Sequence, residues 1–288
     1  MRECGKLAVA QVRPALGDIA QNAEKHIEWI TKARDRGAQL VVFPELGLTG
    51  YQVQDLTLEV ARRLNDPEIV RVVDASRGID AVFSFVEESD EHLFYVAAVY
   101  AKDGEVAAVH RKVYLPTYGM FDEGRYFARG NRFAAFSGRF GRTGMLICED
   151  AWHVTSPYLL ALDGASLLLV PSSSPARSVG EQDRFGSQSF WRQLLQVYAR
   201  LFGAYVVFAN RVGFEDGVNF FGGSFVLAPD GEFTAEGSVL EEALLLADVD
   251  IRAVRRIRYT TPLLRDERMD LVRAELDRIR AGNGGVQS

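Results

Sequence analysis

The segment KLAVAQVRPALGDIAQNAEKHIEWITKARDRGAQLVVFPE, residues 6–45, carries the pattern that decides the fold. It begins with a strand-like apolar run (6–14) and ends with a second run, QLVVFPE (39–45), whose unbroken apolar character is typical of a strand buried on both faces. Between them, apolar residues recur with a helical period after Asp18, an N-cap candidate with Gln21 three residues later. Strand, helix and strand in this order predict a right-handed crossover between parallel strands.

Further apolar runs extend this unit into a mixed sheet. The run 79–88 predicts one strand, and 93–116 predicts two strands joined at Asp103-Gly104, a dipeptide typical of tight hairpins. Two short strands are predicted to end at Cys148. Later strands are predicted within three segments: SLLLVPSSS (166–174), AYVVFANRVG (204–213) and GGSFVLAPDG (222–231).

Helical periodicity predicts the remaining elements, with helices over 55–77, near 154–163 and near 184–202, and an amphipathic helix over 259–280. The helix near 184–202 has apolar residues on two faces, which predicts that it is covered on both sides. The tail AGNGGVQS is predicted to be disordered.

Composition and charge favour one globular α/β domain that acts on a small molecule. The chain has 288 residues, of which 48% are hydrophobic, and no Pro- or Ser-rich linker divides it. Its net charge of −6 arises from mixed signs without a basic stripe, which argues against binding to nucleic acid or to an anionic membrane.

The sequence also predicts a reducing, cytoplasmic location. The N-terminal run is too short for a signal-peptide core, and no apolar stretch reaches the roughly 18 to 20 residues of a membrane span. Cys4 and Cys148 form no CxxC pair and are too few for a disulfide framework in a chain of this size.

Functional side chains follow three of the predicted buried strands. Glu45 follows the second strand, Lys112 follows the hairpin, with Glu123 in the loop beyond it, and Cys148 ends a later apolar run. Residues at strand ends are held by a rigid scaffold and can still face a cleft, which suits catalysis.

These residue types complement one another chemically. A cysteine attacks as the thiolate, which needs a base, and Glu45 can act as that base. Attack on an amide carbon places negative charge on the carbonyl oxygen, which Lys112 and the backbone N–H of Glu149 can stabilise. Glu123 can keep Lys112 charged and orient the amide. The set predicts acyl transfer through a thioester.

Three segments carry a resemblance to a known family: FPELGLTGY, HRKVYLPTYGMFDEGRYF and GMLICEDAWH. In order and spacing they resemble the signature segments of the nitrilase superfamily of carbon–nitrogen hydrolases. The resemblance implies a four-layer αββα sandwich with mixed sheets, formed here by residues 1–258, and a C-terminal helical extension, 259–288, that packs on a neighbouring subunit of a homodimer. It also implies the roles given above for Glu45, Lys112 and Cys148, with Glu123 as the second glutamate.

Within that superfamily, the second and third segments look most like the glutaminase domain of glutamine-dependent NAD synthetases. This likeness places Tyr118 and Phe121 at the substrate pocket, and Arg177, with its planar fork of donors, can pair with a substrate carboxylate. No ATP-using pyrophosphate loop follows, so we expect a free-standing amidase of glutamine-like, ω-amide or N-carbamoyl compounds. The alternative is a glutaminase subunit that passes ammonia to a separate synthetase. No cofactor is predicted.

Other readings of these residues are weaker. Cys148, Glu149, Asp150 and His153 match no usual zinc spacing, so no metal site is predicted. His110 or His153 could serve as a base for Cys148, although a structural role is favoured for His110. Asp150 and Trp152 are expected to shape the turn and to pack beneath the nucleophile. A catalytically idle binding or regulatory subunit is the alternative from another functional class, but it would have no need for all four catalytic residue types.

Overall fold

The structure, a computed structural model, describes residues 4–177 and 185–283. Its strands are β1 Cys4–Gln11, β2 Leu40–Val42, β3 Asp80–Glu88, β4 Phe94–Lys102, β5 Glu105–Arg111, β6 Phe136–Gly138, β7 Gly141–Met145, β8 Leu167–Ser172, β9 Tyr205–Asn210, β10 Val212–Glu215, β11 Val218–Phe221, β12 Phe225–Leu227, β13 Phe233–Glu236 and β14 Ala243–Asp250. Its α-helices are α1 Ile19–Asp35, α2 Thr57–Val60, α3 Pro67–Asp74, α4 Glu123–Tyr126, α5 Thr155–Leu162, α6 Gly186–Phe202, α7 Ile251–Thr260 and α8 Met269–Asn283, and 3-10 helices form over Gln54–Leu56 and Cys148–Trp152.

Most of the described strands form two six-stranded sheets, ordered β14-β1-β2-β3-β4-β5 and β13-β12-β9-β8-β7-β6. In the first sheet β1, β2 and β3 run parallel, while β14, β4 and β5 join antiparallel. In the second, β7, β8 and β9 run parallel and the outer strands are antiparallel. Both sheets are therefore mixed, as predicted.

Alternation along the strands produces four layers. On β1, Leu7 and Val9 point into the core between the two sheets, whereas Ala8 and Ala10 belong to an outer core beneath α1 and α3. The second sheet is built likewise, with Leu169 in the central core and Val170 in the outer core with α6. The prediction of an αββα sandwich with helices outside is confirmed.

Two local signals act as the sequence predicts. Asp18 caps α1, its side chain accepting the N–H of Gln21 at 3.0 Å. Asp103 and Gly104 both have positive φ (53° and 83°), as a two-residue hairpin turn requires, and they join β4 to β5.

Residues 55–77 do not form the single predicted helix. After the 3-10 helix Gln54–Leu56 and α2, the chain extends, and Arg62 bonds to the backbone of β3 through both its N–H and its carbonyl oxygen, each at 2.9 Å. Pro67 then begins α3 and holds the preceding Asp66 in an extended conformation. Pairing with the sheet and the proline together break the helical pattern.

The predicted continuous helix over 259–280 is also interrupted. Helix α7 ends at Thr260, Pro262 follows, and α8 begins at Met269. The apolar side chains predicted for this segment are exposed within this chain, namely Leu263, Met269, Leu271, Leu276 and Ile279. Their packing on a neighbouring subunit and the domain division at residue 258 stay predictions.

On α6, Trp191 and Leu195 are buried against the second sheet, while Val197 and Leu201 on another face are exposed in the single chain. The predicted start of this helix at 184 lies outside the described residues. The tail predicted to be disordered begins at residue 281, but helix α8 continues to Asn283, so the prediction is wrong for 281–283, and residues 284–288 lie outside the described residues. Among the described residues, no helix combines the length and apolar character needed to cross a membrane.

His26 is a buried titratable group in the outer layer of the first sheet. Its Nδ1 lies 2.7 Å from the carbonyl oxygen of Asn22, and its ring stacks on Phe43 with centroids 4.2 Å apart. Within the described part of the chain, Nε2 has no hydrogen-bond partner. Burial lowers the pKa of His26 to about 4, so the folded protein holds the ring neutral.

We expect His26 to make the protein sensitive to mild acid. Because its pKa in the folded state lies below the ordinary value of 6.5, its contribution to stability is present above pH 6.5 and is lost as the pH falls towards 4. Between about pH 7 and about pH 5 this loss should reach about 2 kcal/mol. Urea unfolding of the native protein and of His26→Gln at both pH values measures it, since the glutamine does not titrate. A difference in unfolding free energy between the two proteins that does not change with pH would contradict the assignment.

Candidate active site

Three loops that follow β2, β5 and β7 meet at one edge of the sandwich. Glu45 lies three residues beyond β2, Lys112 directly follows β5, and Cys148 lies three residues beyond β7. The predicted strand ending at Cys148 in fact ends at Met145, and Cys148 begins the 3-10 helix Cys148–Trp152. The shift matters because it takes the thiol off the sheet and into a turn.

Lys112 is the centre of a buried charge cluster. Its Nζ lies 2.6 Å from Oε1 of Glu45 and 2.8 Å from the carboxylate of Glu123. The side chains of Lys112 and Glu45 are completely buried, and that of Glu123 is 6% exposed. Buried charges persist when they are paired, so the cluster fixes three distant segments against one another.

Each carboxylate has a further partner that the sequence reasoning did not identify. The second oxygen of Glu45 accepts the backbone N–H of Ser173 at 2.9 Å, and the Ser173 hydroxyl donates to the Glu45 carbonyl oxygen. The Tyr51 hydroxyl donates to Oε1 of Glu123 at 2.5 Å. Ser173 follows β8 in the quoted segment SLLLVPSSS, so a polar residue after another buried strand was the available signal.

The pKa shifts differ between the members of the cluster. Burial alone would lower the pKa of Lys112, but the charges of Glu123 and Glu45 raise it well above its ordinary value, so the amine stays charged. Burial raises the pKa of Glu123 to about 7, with Glu45 adding to the rise and Lys112 opposing it. Glu123 therefore titrates near neutrality beside a permanent cation.

Cys148 lies within the field of this cluster. It is partly buried, and its backbone has a φ of 45°, a left-handed conformation that costs a residue with a side chain about 1–2 kcal/mol. Burial and the charge of Glu45 raise the pKa of its thiol well above the ordinary value, while Lys112 and the N–H of Ser173 oppose that rise. At neutral pH the resting side chain is a thiol beside a carboxylate.

Asp150 ties the turn of Cys148 to the loop of Lys112. Its Oδ1 accepts the N–H groups of Val113 and Tyr114, each at 3.0 Å, and its Oδ2 accepts the N–H of Ile147 at 3.0 Å. The Nε2 of His110 lies 2.8 Å from Oδ2. The prediction that Asp150 shapes this turn is confirmed.

The two histidines near the turn have structural surroundings. His110 contacts Asp150, as the favoured structural reading predicts, and His153 stacks on Tyr114 with ring centroids 3.5 Å apart. Trp152 does not lie beneath the turn as predicted, because it is 39% exposed and stacks on Phe190.

The predicted substrate-binding residues form one wall beside the cluster. The Tyr118 hydroxyl donates to the carboxylate of Glu149 at 2.9 Å, and the Phe121 ring lies edge-on to Tyr118. The guanidinium of Arg177 lies 4.6 Å above the centre of the Phe121 ring. A cation and an anion thus flank an aromatic surface.

A cavity of about 240 Å³ continues from this wall. Tyr51, Phe121, Glu123, Arg125 and Tyr126 are among the residues that line it. In the described part of the chain, no three His, Cys, Asp or Glu side chains are grouped so that they could hold a metal ion.

Comparisons with known proteins find relatives among two kinds of enzyme. Over 250 residues the chain is 32% identical to the glutamine-dependent NAD(+) synthetase of Acinetobacter baylyi, which covers 87% of this chain and 45% of that protein. It is 28% identical over 274 residues to the N-carbamoylputrescine amidase of Solanum tuberosum, covering 90% of this chain and 91% of that protein. The chain therefore spans about half the length of the synthetase and nearly all of the amidase.

Solved structures extend the likeness to an enzyme with an active-site cysteine. A variant of the amidase from Nesterenkonia sp. AN1, whose active-site cysteine carries the acetamide moiety of fluoroacetamide, matches with a TM-score of 0.80 and 27% identity over 95% of this chain and 98% of that chain. The description of the carbon–nitrogen hydrolase family matches residues 6–259. The chain belongs to this family, the nitrilase superfamily of hydrolases that act on carbon–nitrogen bonds other than peptide bonds.

Proposed function

We propose that this protein hydrolyses a small linear amide to a carboxylate and ammonia or an amine through a thioester on Cys148. The observation that supports this most strongly is the fully buried Lys112, whose Nζ lies 2.6 Å from Glu45 and 2.8 Å from Glu123. The charges of all three side chains act on the Cys148 thiol. Such a cluster provides a base, a cation and a nucleophile in one water-poor site.

The first half-reaction forms the thioester. Glu45 takes the proton of the Cys148 thiol as the sulfur attacks the amide carbon, and the carbonyl π electrons move to oxygen. Lys112 and the N–H of Glu149 stabilise the resulting oxyanion. The oxyanion then re-forms the carbonyl, the carbon–nitrogen bond breaks, and Glu45 returns the proton to the leaving nitrogen.

The second half-reaction restores the enzyme. The oxygen of a water molecule attacks the thioester carbon as Glu45 takes a proton from that water. Collapse of the second oxyanion breaks the carbon–sulfur bond, and Glu45 returns its proton to the departing thiolate. The carboxylic acid leaves and loses its own proton to solvent water, which gives the carboxylate. Glu123 holds Lys112 and orients the amide group, and its pKa of about 7 makes this role dependent on pH.

The wall beside the cluster favours a substrate that carries a positive and a negative charge at the end away from the amide. The Glu149 carboxylate can pair with an ammonium group, and Arg177 above Phe121 can pair with a carboxylate. Glutamine-like, ω-amide and N-carbamoyl compounds share one or both of these groups. The relatives named as a glutamine-dependent synthetase and an N-carbamoylputrescine amidase support the same substrate range.

A second candidate is a glutaminase that supplies ammonia to a separate NAD synthetase. The supporting observation is that the matched region covers 45% of the Acinetobacter baylyi synthetase. Stimulation of ammonia release by an added synthetase would favour this candidate over a free-standing amidase.

We also propose that the protein acts as a homodimer in the cytoplasm. Apolar side chains on α5 and α6, namely Leu159, Phe190, Val197 and Leu201, are 41–50% exposed in the single chain. Burial of such a face against a second copy removes apolar surface from water.

A panel of amides tests the proposed reaction. Ammonia release is measured with glutamine, asparagine, ω-amidated dicarboxylates, N-carbamoyl amino acids and simple aliphatic amides. We expect turnover of at least one class, because the site provides every group that the reaction requires. Native protein that releases no ammonia from any class, although it is folded, would contradict the proposal.

Cys148→Ala should lose at least about 10⁴-fold in kcat, because no other group can form the thioester. The fold should remain, since alanine fits the space of the thiol, and circular dichroism with thermal unfolding checks it. Cys4→Ala is the matched control, because Cys4 is exposed and has no role in the proposed reaction. Equal activity of the two variants would exclude Cys148 as the nucleophile.

Glu45→Gln should separate proton transfer from nucleophile reactivity. Loss of the base should lower kcat by about 10²- to 10⁴-fold. The charge of Glu45 raises the pKa of the Cys148 thiol, so its removal beside Lys112 should lower that pKa and preserve or increase alkylation by iodoacetamide. Peptide mass mapping follows the alkylation of Cys148. If alkylation falls as steeply as turnover, Glu45 acts in another way.

A further inference from the structure

A second buried ion pair lies next to the Lys112 cluster. Arg211 directly follows β9 and Glu215 ends β10, and Nη1 of the arginine lies 2.7 Å from Oε2 of the glutamate. The side chains are 0% and 3% exposed, and the guanidinium lies 4.3 Å above the Phe220 ring. Removing two charges from water is unfavourable, so the pair calls for a role beyond stability.

The carboxylate oxygen of Glu215 that does not face Arg211 binds the backbone at Tyr51. Oε1 of Glu215 accepts the backbone N–H groups of Tyr51 and Gln52, each at 2.8 Å. Gly50, with a φ of +83°, brings the backbone so close that an added Cβ would lie 3.0 Å from Oε2 of Glu215. The turn before Tyr51 is therefore seated on the Glu215 carboxylate.

Tyr51 transmits this position to the cluster. Its side chain is buried, its ring lies edge-on to Phe220, and its hydroxyl donates to Glu123 at 2.5 Å. Burial and the charges of Glu123 and Glu45 raise the pKa of Tyr51 well above its ordinary value, so the hydroxyl remains a donor. Glu123 in turn contacts Lys112.

We propose that Arg211 and Glu215 are positioning residues for the amidase reaction, which fix Tyr51 so that its hydroxyl holds Glu123 against Lys112. This inference rests on the proposed function. Neither residue of the pair touches the substrate. Arg211 neutralises Glu215, Glu215 fixes the backbone of Tyr51, and the Tyr51 hydroxyl fixes the glutamate that orients the amide.

Two charge-free double variants test the link. Arg211→Met with Glu215→Gln keeps an oxygen that can accept the Tyr51 N–H, whereas Arg211→Met with Glu215→Met fills similar space without an acceptor. Both avoid an unpaired buried charge. We expect kcat to be about tenfold to a hundredfold lower in the second variant than in the first, with KM differing by less than about threefold. Equal kcat values would overturn the proposal.

The Tyr51→Phe background shows whether the effect passes through the hydroxyl. There, the same exchange of Gln for Met at position 215 should change kcat by less than about twofold, because the bond to Glu123 is already lost. An unchanged factor in both backgrounds would indicate a general structural effect and overturn the proposal. Should the methionine variant fail to fold, Glu215→Asp, which keeps both charges but withdraws the acceptor, replaces it with the same expected loss.

Alkylation of Cys148 by iodoacetamide provides a readout that needs no turnover. The reagent carries a primary amide that Glu123 can orient, whereas iodoacetate lacks the amide N–H groups. The variant without the acceptor should lose selectivity for iodoacetamide over iodoacetate by about tenfold relative to the variant that keeps it. If the amide panel fails, this ratio still tests positioning; an unchanged ratio would overturn the inference by itself.

Discussion

The burial of Lys112 between Glu45 and Glu123 is the constraint on which the rest of the site depends. A lone ammonium in this position would lose its hydration without compensation, so the two carboxylates must reach it from separate loops. Glu45 follows β2 and Glu123 begins α4, and each is held by a further hydrogen bond, from Ser173 and Tyr51 respectively. The sandwich therefore acts as a frame that brings charges together, and the core between the sheets stabilises that frame.

The same cluster explains why the Cys148 thiol can stay protonated and weakly reactive until a substrate binds. The charges of two carboxylates and one ammonium act on the Cys148 thiol, and burial together with the negative charge of Glu45 keeps the pKa of the thiol high. A thiol that is protonated at rest resists oxidation and unselective alkylation better than a thiolate. In the proposed reaction, deprotonation coincides with attack, because the base Glu45 and the cation Lys112 lie 2.6 Å apart and the charges of both act on the sulfur.

Local signals could be read from the sequence, and long-range ones could not. The cap at Asp18 and the turn at Asp103-Gly104 depend on neighbours in the chain, and both were predicted. Strand β14 was missed, and its pairing with β1, which joins residues more than 200 positions apart, has no signal in the local sequence. The break within 55–77 was missed because Arg62 is drawn to β3 by sheet hydrogen bonds that a helical pattern does not reveal.

The candidate site shows the same division. The sequence identified Glu45, Lys112, Glu123 and Cys148 by residue type and motif, and the structure brings them into one cluster, while their chemical roles stay proposals. Tyr51 and Ser173 lie in quoted segments, but their contacts with Glu123 and Glu45, like the Arg211–Glu215 ion pair, form only in the folded chain and cannot be read from the residue pattern. The central claim is a thioester on Cys148, and rapid acid quenching during amide turnover followed by peptide mass analysis tests it most directly. The account predicts the mass of the acyl group on the peptide that contains Cys148, whereas steady turnover with the acyl group on another residue, or on none at any quench time, would contradict it.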